Sequence, residues 1–334
     1  MLDPPNLDEQ KLITTLENRF GILSSTLTYL PLGYDAASWV YRVETKQGGP
    51  YFLKLRSANS FSPASMAIPD YLYHQGVSHI LAPVHTADHA LWVEVGDFVL
   101  SLYPFIQGQS AVDTGFSERS WRAFGALMGQ IHSCRLPPEL KRLVPQEAFI
   151  PSRRNLIEKI SREAQGSAKA PPEAEKLYKF WINHETTIQE VVQRADTLAS
   201  RLRGRPHQFA LCHADMHGWN ILVDEGGQFW LIDWDEVIFA CKERDLMFAF
   251  GGIGGDGVGA QQSTWFLDGY GDQSIDSEAL AYYRYAWAVQ DIAACAELVL
   301  YAPDRSQESR RAALASLRNL FKPGEIVEIA CSSA

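Results

Sequence analysis

The sequence predicts an α+β chain in two lobes: a β-rich N-terminal lobe over residues 1–104 and a mainly helical C-terminal lobe over 105–334. Three observations carry this. The chain has 334 residues, which is too long for one small core. Apolar residues alternate with polar ones through much of residues 22–104, which is the period of a half-buried strand. After Gly108 they recur every three or four positions, which is the period of a helix.

The first element is an amphipathic helix in "NLDEQKLITTLENRF", with Leu12, Ile13, Leu16 and Phe20 on one face and Gly21 as a stop. "STLTYLPLG" and "SWVYRVET" read as strands flanking "YDAA", and "PYFLKLRS" follows the turn "KQGG". "SPASMAIPDYLYHQG" is a helical interruption containing Pro69. "ALWVEV" and "FVLSLYPFI" then form a hairpin around "GD". In the second lobe, "SERSWRAFGALMGQIHSC" has Ser117 as N-cap and Trp121, Phe124, Leu127, Met128 and Ile131 at helical spacing. "APPEAEKLYKFWINHETTIQEVVQRADTLASRLRG" reads as one long helical stretch, with "QGSAKAPPE" as a loop at its start. "DSEALAYYRYAWAVQDIAACAELVLY" and "SRRAALASLRNLF" are further helices. Tyr283 and Trp287, four apart, are expected in a core.

Composition limits the function. Hydrophobic residues make up 46% and charged residues 21%, the balance of a soluble globular protein. A net charge of −10 opposes binding to nucleic acid or to an anionic membrane, both of which need basic patches. Five cysteines without a C-x-x-C pair suit a reducing compartment rather than a disulfide framework. The N-terminal stretch lacks the basic and apolar regions of a signal peptide, and no run approaches a membrane span. A cytoplasmic setting is expected, and nothing implies an obligate protein partner.

The chemistry concentrates in "LCHADMHGWNILVDEGGQFWLIDWDE". Read as H-x-D-x-H, it suggests a transition-metal site of a hydrolytic enzyme, but no further ligand set at suitable spacing accompanies the histidines. A second reading starts from the turn "DEGG" between the apolar runs "ILV" and "FWLIDW". A hairpin there brings Asp233, near the end of the second strand, back to Asp215 and Asn220, just before the first. Two carboxylates and a carboxamide then converge, and oxygen ligands of this kind suit Mg²⁺.

"HADMHGWNILV" followed by "LIDWDE" resembles the catalytic loop and metal-binding aspartate of the aminoglycoside phosphotransferase family, which has a protein-kinase-like fold. The likeness runs through nearly the whole chain and is strongest to the spectinomycin-type members, through "KERDLMF" and "EIVEIA" as well. The resemblance implies ATP and Mg²⁺ as cofactors. It implies that Asp215 deprotonates the acceptor hydroxyl and that Asn220 and Asp233 hold the metal. His213 and His217 would keep the loop in shape, and Asp245 of "ERDL" would anchor it. Lys54 would contact the α- and β-phosphates, with Gly33 and Ser38 in the loop over them. Backbone groups from Tyr103 through Phe105 to Ile106 would bind adenine at an interlobe hinge.

One departure stands out. Kinases pair the strand lysine with a helix glutamate, yet no glutamate occurs between Glu44 and Glu94. Either Asp70 substitutes or something else holds Lys54. Asp235 and Glu236 directly follow Asp233 and are the expected contacts to a cationic small-molecule substrate. The implied reaction is O-phosphorylation of an aminoglycoside or aminocyclitol antibiotic such as spectinomycin. The alternatives are a metabolic kinase of choline, methylthioribose, homoserine or a fructosamine, and a kinase-like binding module without activity. "GGIGGDGVG" has dinucleotide-loop spacing but follows a helix, so the spacing is incidental.

Overall fold

The computed structural model describes residues 5, 7–32, 37–46, 48–166, 171–250, 258–271, 274–302 and 306–333. Gly33 and the glycines Gly252, Gly254 and Gly257 lie outside them. Elements run in the order α1 (Glu9–Phe20), β1 (Ser24–Leu30), β2 (Ser38–Thr45), β3 (Tyr51–Ser57), α2 (Ala64–His74), β4 (Val93–Val95), β5 (Phe98–Pro104) and β6 (Gly108–Ser110). Then come α3 (Ala111–Thr114), α4 (Glu118–Ser133), α5 (Pro138–Lys141), α6 (Arg154–Gly166), α7 (Pro172–Asn183), α8 (Glu185–Arg203) and β7 (Ala210–Cys212). The chain finishes with β8 (Ile221–Asp224), β9 (Phe229–Leu231), β10 (Ile238–Ala240), α9 (Glu243–Ala249), α10 (Ala260–Tyr270), α11 (Ser277–Leu300), α12 (Gln307–Asn319) and α13 (Ile326–Cys331).

These elements form two compact units, residues 1–145 with 213–238, and residues 146–212 with 239–334. The change from strands to helices expected at 104/105 marks a shift of secondary structure. The compact units divide elsewhere, because the hairpin that carries the expected site returns to the first unit.

The first unit is built on a five-stranded antiparallel sheet in the order β1-β2-β3-β5-β4. Alternation decides its faces. Leu53 and Leu55 of β3 are buried with Val43, Leu100 and Leu102, and Leu12 and Leu16 of α1 close over them. Gly21 ends α1 at φ +67°, a left-handed conformation that costs glycine nothing. Lys54 and Arg56 share the opposite face of β3. α2 continues through Pro69, because burial of Met66, Ile68, Pro69 and Leu72 outweighs one lost backbone bond. α4 is capped by Ser117 as expected, whose Oγ accepts from the Ser120 amide.

A second, three-stranded sheet runs β6-β8-β9 and has one consequence for the site. β8 and β9 are the hairpin read from the sequence, with Ile221 opposite Leu231. β6 comes from "GQS", in the segment expected to be only a hinge, and pairs with β8. Gly108 makes that pairing possible: a Cβ there would lie 2.4 Å from the Val223 carbonyl oxygen. Backbone cannot yield as a side chain would. Gly108→Ala is therefore expected to destabilise the protein by about 1–3 kcal/mol, read as a lower midpoint of thermal unfolding.

The second unit is mainly helical. α11 carries its centre, with Tyr283 fully buried and Trp287 8% exposed, so both aromatics are core as expected. The stretch expected as one long helix is two, α7 and α8, broken at His184. The His184 Nδ1 lies 2.9 Å from the Phe180 carbonyl, so a side chain competes for a helix acceptor at the break. Among the described residues, no helix is long and apolar enough to cross a membrane.

Candidate active site

The site is assembled within the first unit by one loop, one hairpin and one strand. Phe229 anchors the hairpin. It is 2% exposed, stacks on His79 at 4.0 Å between centroids, and meets Phe116 and Phe124 edge-on or tilted. His79 also accepts the Leu231 amide at its backbone carbonyl, at 2.9 Å. With the second strand held on both sides, the turn that follows is fixed in place. That turn presents Asp233.

The loop before the hairpin is held by His213, which is fully buried. Its Nδ1 accepts the Asp215 amide at 3.3 Å, and its Nε2 donates to the Ile232 carbonyl at 3.0 Å. These two partners require the neutral ring with its proton on Nε2. Both ring nitrogens are occupied, so His213 is no metal ligand here, and the transition-metal reading loses its first residue. One histidine thus ties the backbone at Asp215 to the backbone just before Asp233. Three residues with side chains sit at positive φ in this assembly, His79 at 64°, Ala214 at 70° and Asp233 at 62°. Such conformations cost roughly 1–3 kcal/mol each and persist where the surroundings impose them.

Asn220 donates from Nδ2 to both the backbone carbonyl and the Oδ2 of Asp215, each at 2.8 Å. The amide nitrogen is spent inward, which leaves the carboxamide oxygen to act as an acceptor or metal ligand. His217 Nε2 lies 3.3 Å from the Asp215 Oδ1 and 3.5 Å from the Asn220 Nδ2. Its ring thus orients the Asp215 carboxylate directly.

Lys54 reaches the same place from β3. Its Nζ donates to the Asp233 Oδ1 at 2.9 Å and to the Asp235 Oδ2 at 2.7 Å. Arg56 Nη1 donates to that same Asp235 oxygen. Asp233 keeps 38% of its side-chain surface open, against 14% for Asp235. Desolvation pushes the Asp233 carboxyl up, but the Lys54 ammonium and its hydrogen bond, with smaller help from Arg56, hold it below the usual carboxylate range. Asp233 is therefore a carboxylate at neutral pH. The donor set of Asp215, Asn220 and Asp233, all hard oxygens on a fixed backbone, fits Mg²⁺ and does not resemble a thiolate or imidazole site.

Asp70 is engaged elsewhere, with its Oδ1 2.7 Å from the His85 Nε2. The strand lysine's partners are thus Asp233 and Asp235. Asp235, expected at a substrate, is occupied by two cations of its own chain. Glu236 is exposed on the turn after it. Arg56 was not singled out as a site residue. Its signal was its place two residues from Lys54, on the same strand face.

The remaining expected residues fall as follows. Ser38 opens β2, opposite Arg56 of β3. Tyr103 lies on β5 opposite Phe52; its hydroxyl donates to the Met66 sulfur at 3.2 Å, and burial pushes its pKa up to about 12. The Phe105 amide donates to the Pro50 carbonyl at 3.2 Å, and Arg42 sits over the Phe105 ring. That amide is thus not available to a nucleotide, while Ile106 lies in the link between β5 and β6. Asp245 is fully buried on α9 of the second unit.

Residues 27–280 match the phosphotransferase enzyme family, APH. The chain belongs to this family. Among solved structures, the phosphotransferase is similar to the spectinomycin phosphotransferase APH(9)-Ia in complex with ADP and spectinomycin. The TM-score is 0.90 at 26% identity, over 98% of this chain and 99% of that one. It shares its fold with the amicoumacin kinase hAmiN in complex with AMP-PNP, Ca²⁺ and Ami, at TM-score 0.62 and 18% identity, over 97% and 94% of the two chains. It also shares it with the choline kinase LicA from Streptococcus pneumoniae, at TM-score 0.56 and 14% identity, over 93% and 99%. A comparison with curated protein sequences finds no match. The protein-kinase-like α+β fold and the small-molecule kinase class expected from the sequence both hold for this phosphotransferase.

Proposed function

We propose that this phosphotransferase moves the γ-phosphoryl group of ATP to a hydroxyl of a small amine-bearing molecule, and that its acceptor is an aminocyclitol of the spectinomycin type. One observation carries the reading: Asn220 is bonded to Asp215 on one loop, Lys54 to Asp233 after the hairpin, and the Ile232 amide donates to the Asn220 carbonyl between the two pairs, an arrangement suited to phosphoryl transfer. The acceptor class draws support from the likeness to APH(9)-Ia over nearly the full length of both chains.

In this reading Asp215 takes the acceptor proton. Two of its acceptor positions are used by Asn220 and His217, and an ionised carboxylate offers about four. Asn220 and Asp233 hold Mg²⁺, which supplies charge neutralisation on the phosphates when bound. Lys54 binds the α- and β-phosphates, with Ser38 at the start of β2 beside them. The strand end from Tyr103 to Ile106 receives adenine through the groups its own pairing leaves over. Glu236, exposed on the turn beyond Asp233, faces the cationic acceptor. Catalysis comes from positioning and charge, since metaphosphate-like transfer asks little covalent chemistry of the protein. Five free cysteines and consumption of ATP suit the cytoplasm.

The test is a phosphorylation screen of the purified protein with ATP and Mg²⁺ over aminocyclitols, aminoglycosides, choline and sugar metabolites, read by product mass. A phosphorylated aminocyclitol formed with the highest kcat/KM is the expected result. Preference for choline or a sugar would replace the acceptor and keep the reaction. No transfer to any acceptor, with ATP bound, would leave a binding module.

A further inference from the structure

The template for kinases puts the strand lysine against a glutamate on a neighbouring helix, which holds the ammonium at the phosphates. This chain has two carboxylates between Glu44 and Glu94, Asp70 and Asp88, and both are engaged away from Lys54. Asp70 bonds His85 on one side and approaches His74 at 3.4 Å on the other. Asp88 takes Arg19 and the Thr86 hydroxyl.

Asp235 fills the empty role. Its Oδ2 is 2.7 Å from the Lys54 Nζ, and both side chains are mostly shielded from water, at 14% and 13% exposure. Arg56 converges on the same oxygen from the same strand face, at 15% exposure. Asp233, the other partner of Lys54, is far more open. A carboxylate that faces solvent is free to change partners, whereas one enclosed by two cations stays where it is. Resting on the proposed nucleotide reaction, we infer that Asp235 is the positioning residue of Lys54. When nucleotide arrives, Lys54 exchanges Asp233 for phosphate oxygens and remains on Asp235. Arg56 holds the Asp235 carboxylate aimed at Lys54. The anchor is thus carried two residues beyond the metal-ligating aspartate and not by α2. With two cations on its Oδ2, Asp235 is committed to its own chain, and the contact to a cationic acceptor is assigned to Glu236.

The test uses the full-length protein and titrates AMP-PNP with Mg²⁺ calorimetrically, without acceptor. Asp235→Asn is expected to weaken binding about tenfold, the scale of one charge-assisted hydrogen bond. Lys54→Met is expected to weaken it similarly, and the double variant no further than Lys54→Met alone, since both changes remove one interaction. Asp70→Asn is expected to leave affinity unchanged. Multiplicative losses in the double variant would overturn the inference and make Asp235 an independent contact. So would unchanged affinity in Asp235→Asn together with a raised acceptor KM, the signature of a substrate carboxylate. So would Asp70→Asn weakening binding as much as Asp235→Asn. If Asp235→Asn does not fold, the charge-conserving pair Asp235→Glu and Lys54→Arg decides: a double loss smaller than the product of the single losses supports the inference, and a loss equal to it overturns it. A wild type that binds no AMP-PNP fails the nucleotide reading itself, which separates the two failures.

Discussion

Asp215→Ala is expected to lower phosphoryl transfer by about three orders of magnitude while leaving nucleotide affinity within a few-fold of wild type. The expectation follows from where the carboxylate sits. Asp215 is held at its amide by His213 and at its side chain by Asn220 and His217, but makes no bond to Lys54. Removing it would delete the proposed proton acceptor and leave Lys54 and Arg56 in place. Single-turnover transfer and AMP-PNP titration, run side by side, check both halves. Turnover close to wild type would end the role of Asp215 as base. Loss of nucleotide affinity equal to the loss of rate would mean that the loop had collapsed. Asp215→Asn separates the cases, because it keeps the shape and most hydrogen bonds but cannot take a proton.

Asp233→Ala is the second large expectation. It should remove the Mg²⁺-dependent part of nucleotide binding and lower transfer by about three orders of magnitude, since charge stabilisation is commonly the largest single contribution to catalysis. AMP-PNP titrated with and without Mg²⁺ reads this directly: the wild type should bind more tightly with the metal, and the variant should not distinguish the two conditions. Protonation should mimic the variant in part. Lys54 depresses the Asp233 pKa, so ionisation of Asp233 contributes stability that is present above the ordinary carboxylate pKa. That contribution is lost only as pH falls through the lower folded value. Thermal unfolding of Asp233→Asn should therefore depend less on pH than the wild type in the acid range below the usual carboxylate pKa.

How much of this was legible in the sequence depended on whether the signal was local. The hairpin was legible because "DEGG" announces its turn and apolar runs flank it, and its geometry alone brought Asp233 back toward Asp215. The sheet was legible by alternation, and Ser117 by its position before a helical period. The partner of Lys54 was not. Its ion pairs join residues nearly two hundred positions apart, and no periodicity encodes such a contact. The two-cation grip on Asp235 was not legible either, because an aspartate just after an expected metal ligand invites a substrate reading. β6 escaped because three residues with a glycine at their head carry no strand signal. The break between α7 and α8 falls at a histidine, without the glycine or proline that usually marks a helix end.

The placement of the lysine's anchor bears on control. In many protein kinases, activity is switched by swinging a helix so that its glutamate reaches or leaves the strand lysine. Here α2 offers no carboxylate to Lys54, and its single acid is committed to His85. On the proposed reading the anchor is on the same short turn as Asp233, so rotation of α2 would not part Lys54 from it. The phosphotransferase would then have no off position of that kind. Its output would follow the supply of nucleotide and acceptor, which suits an enzyme that must act on whatever molecule reaches it.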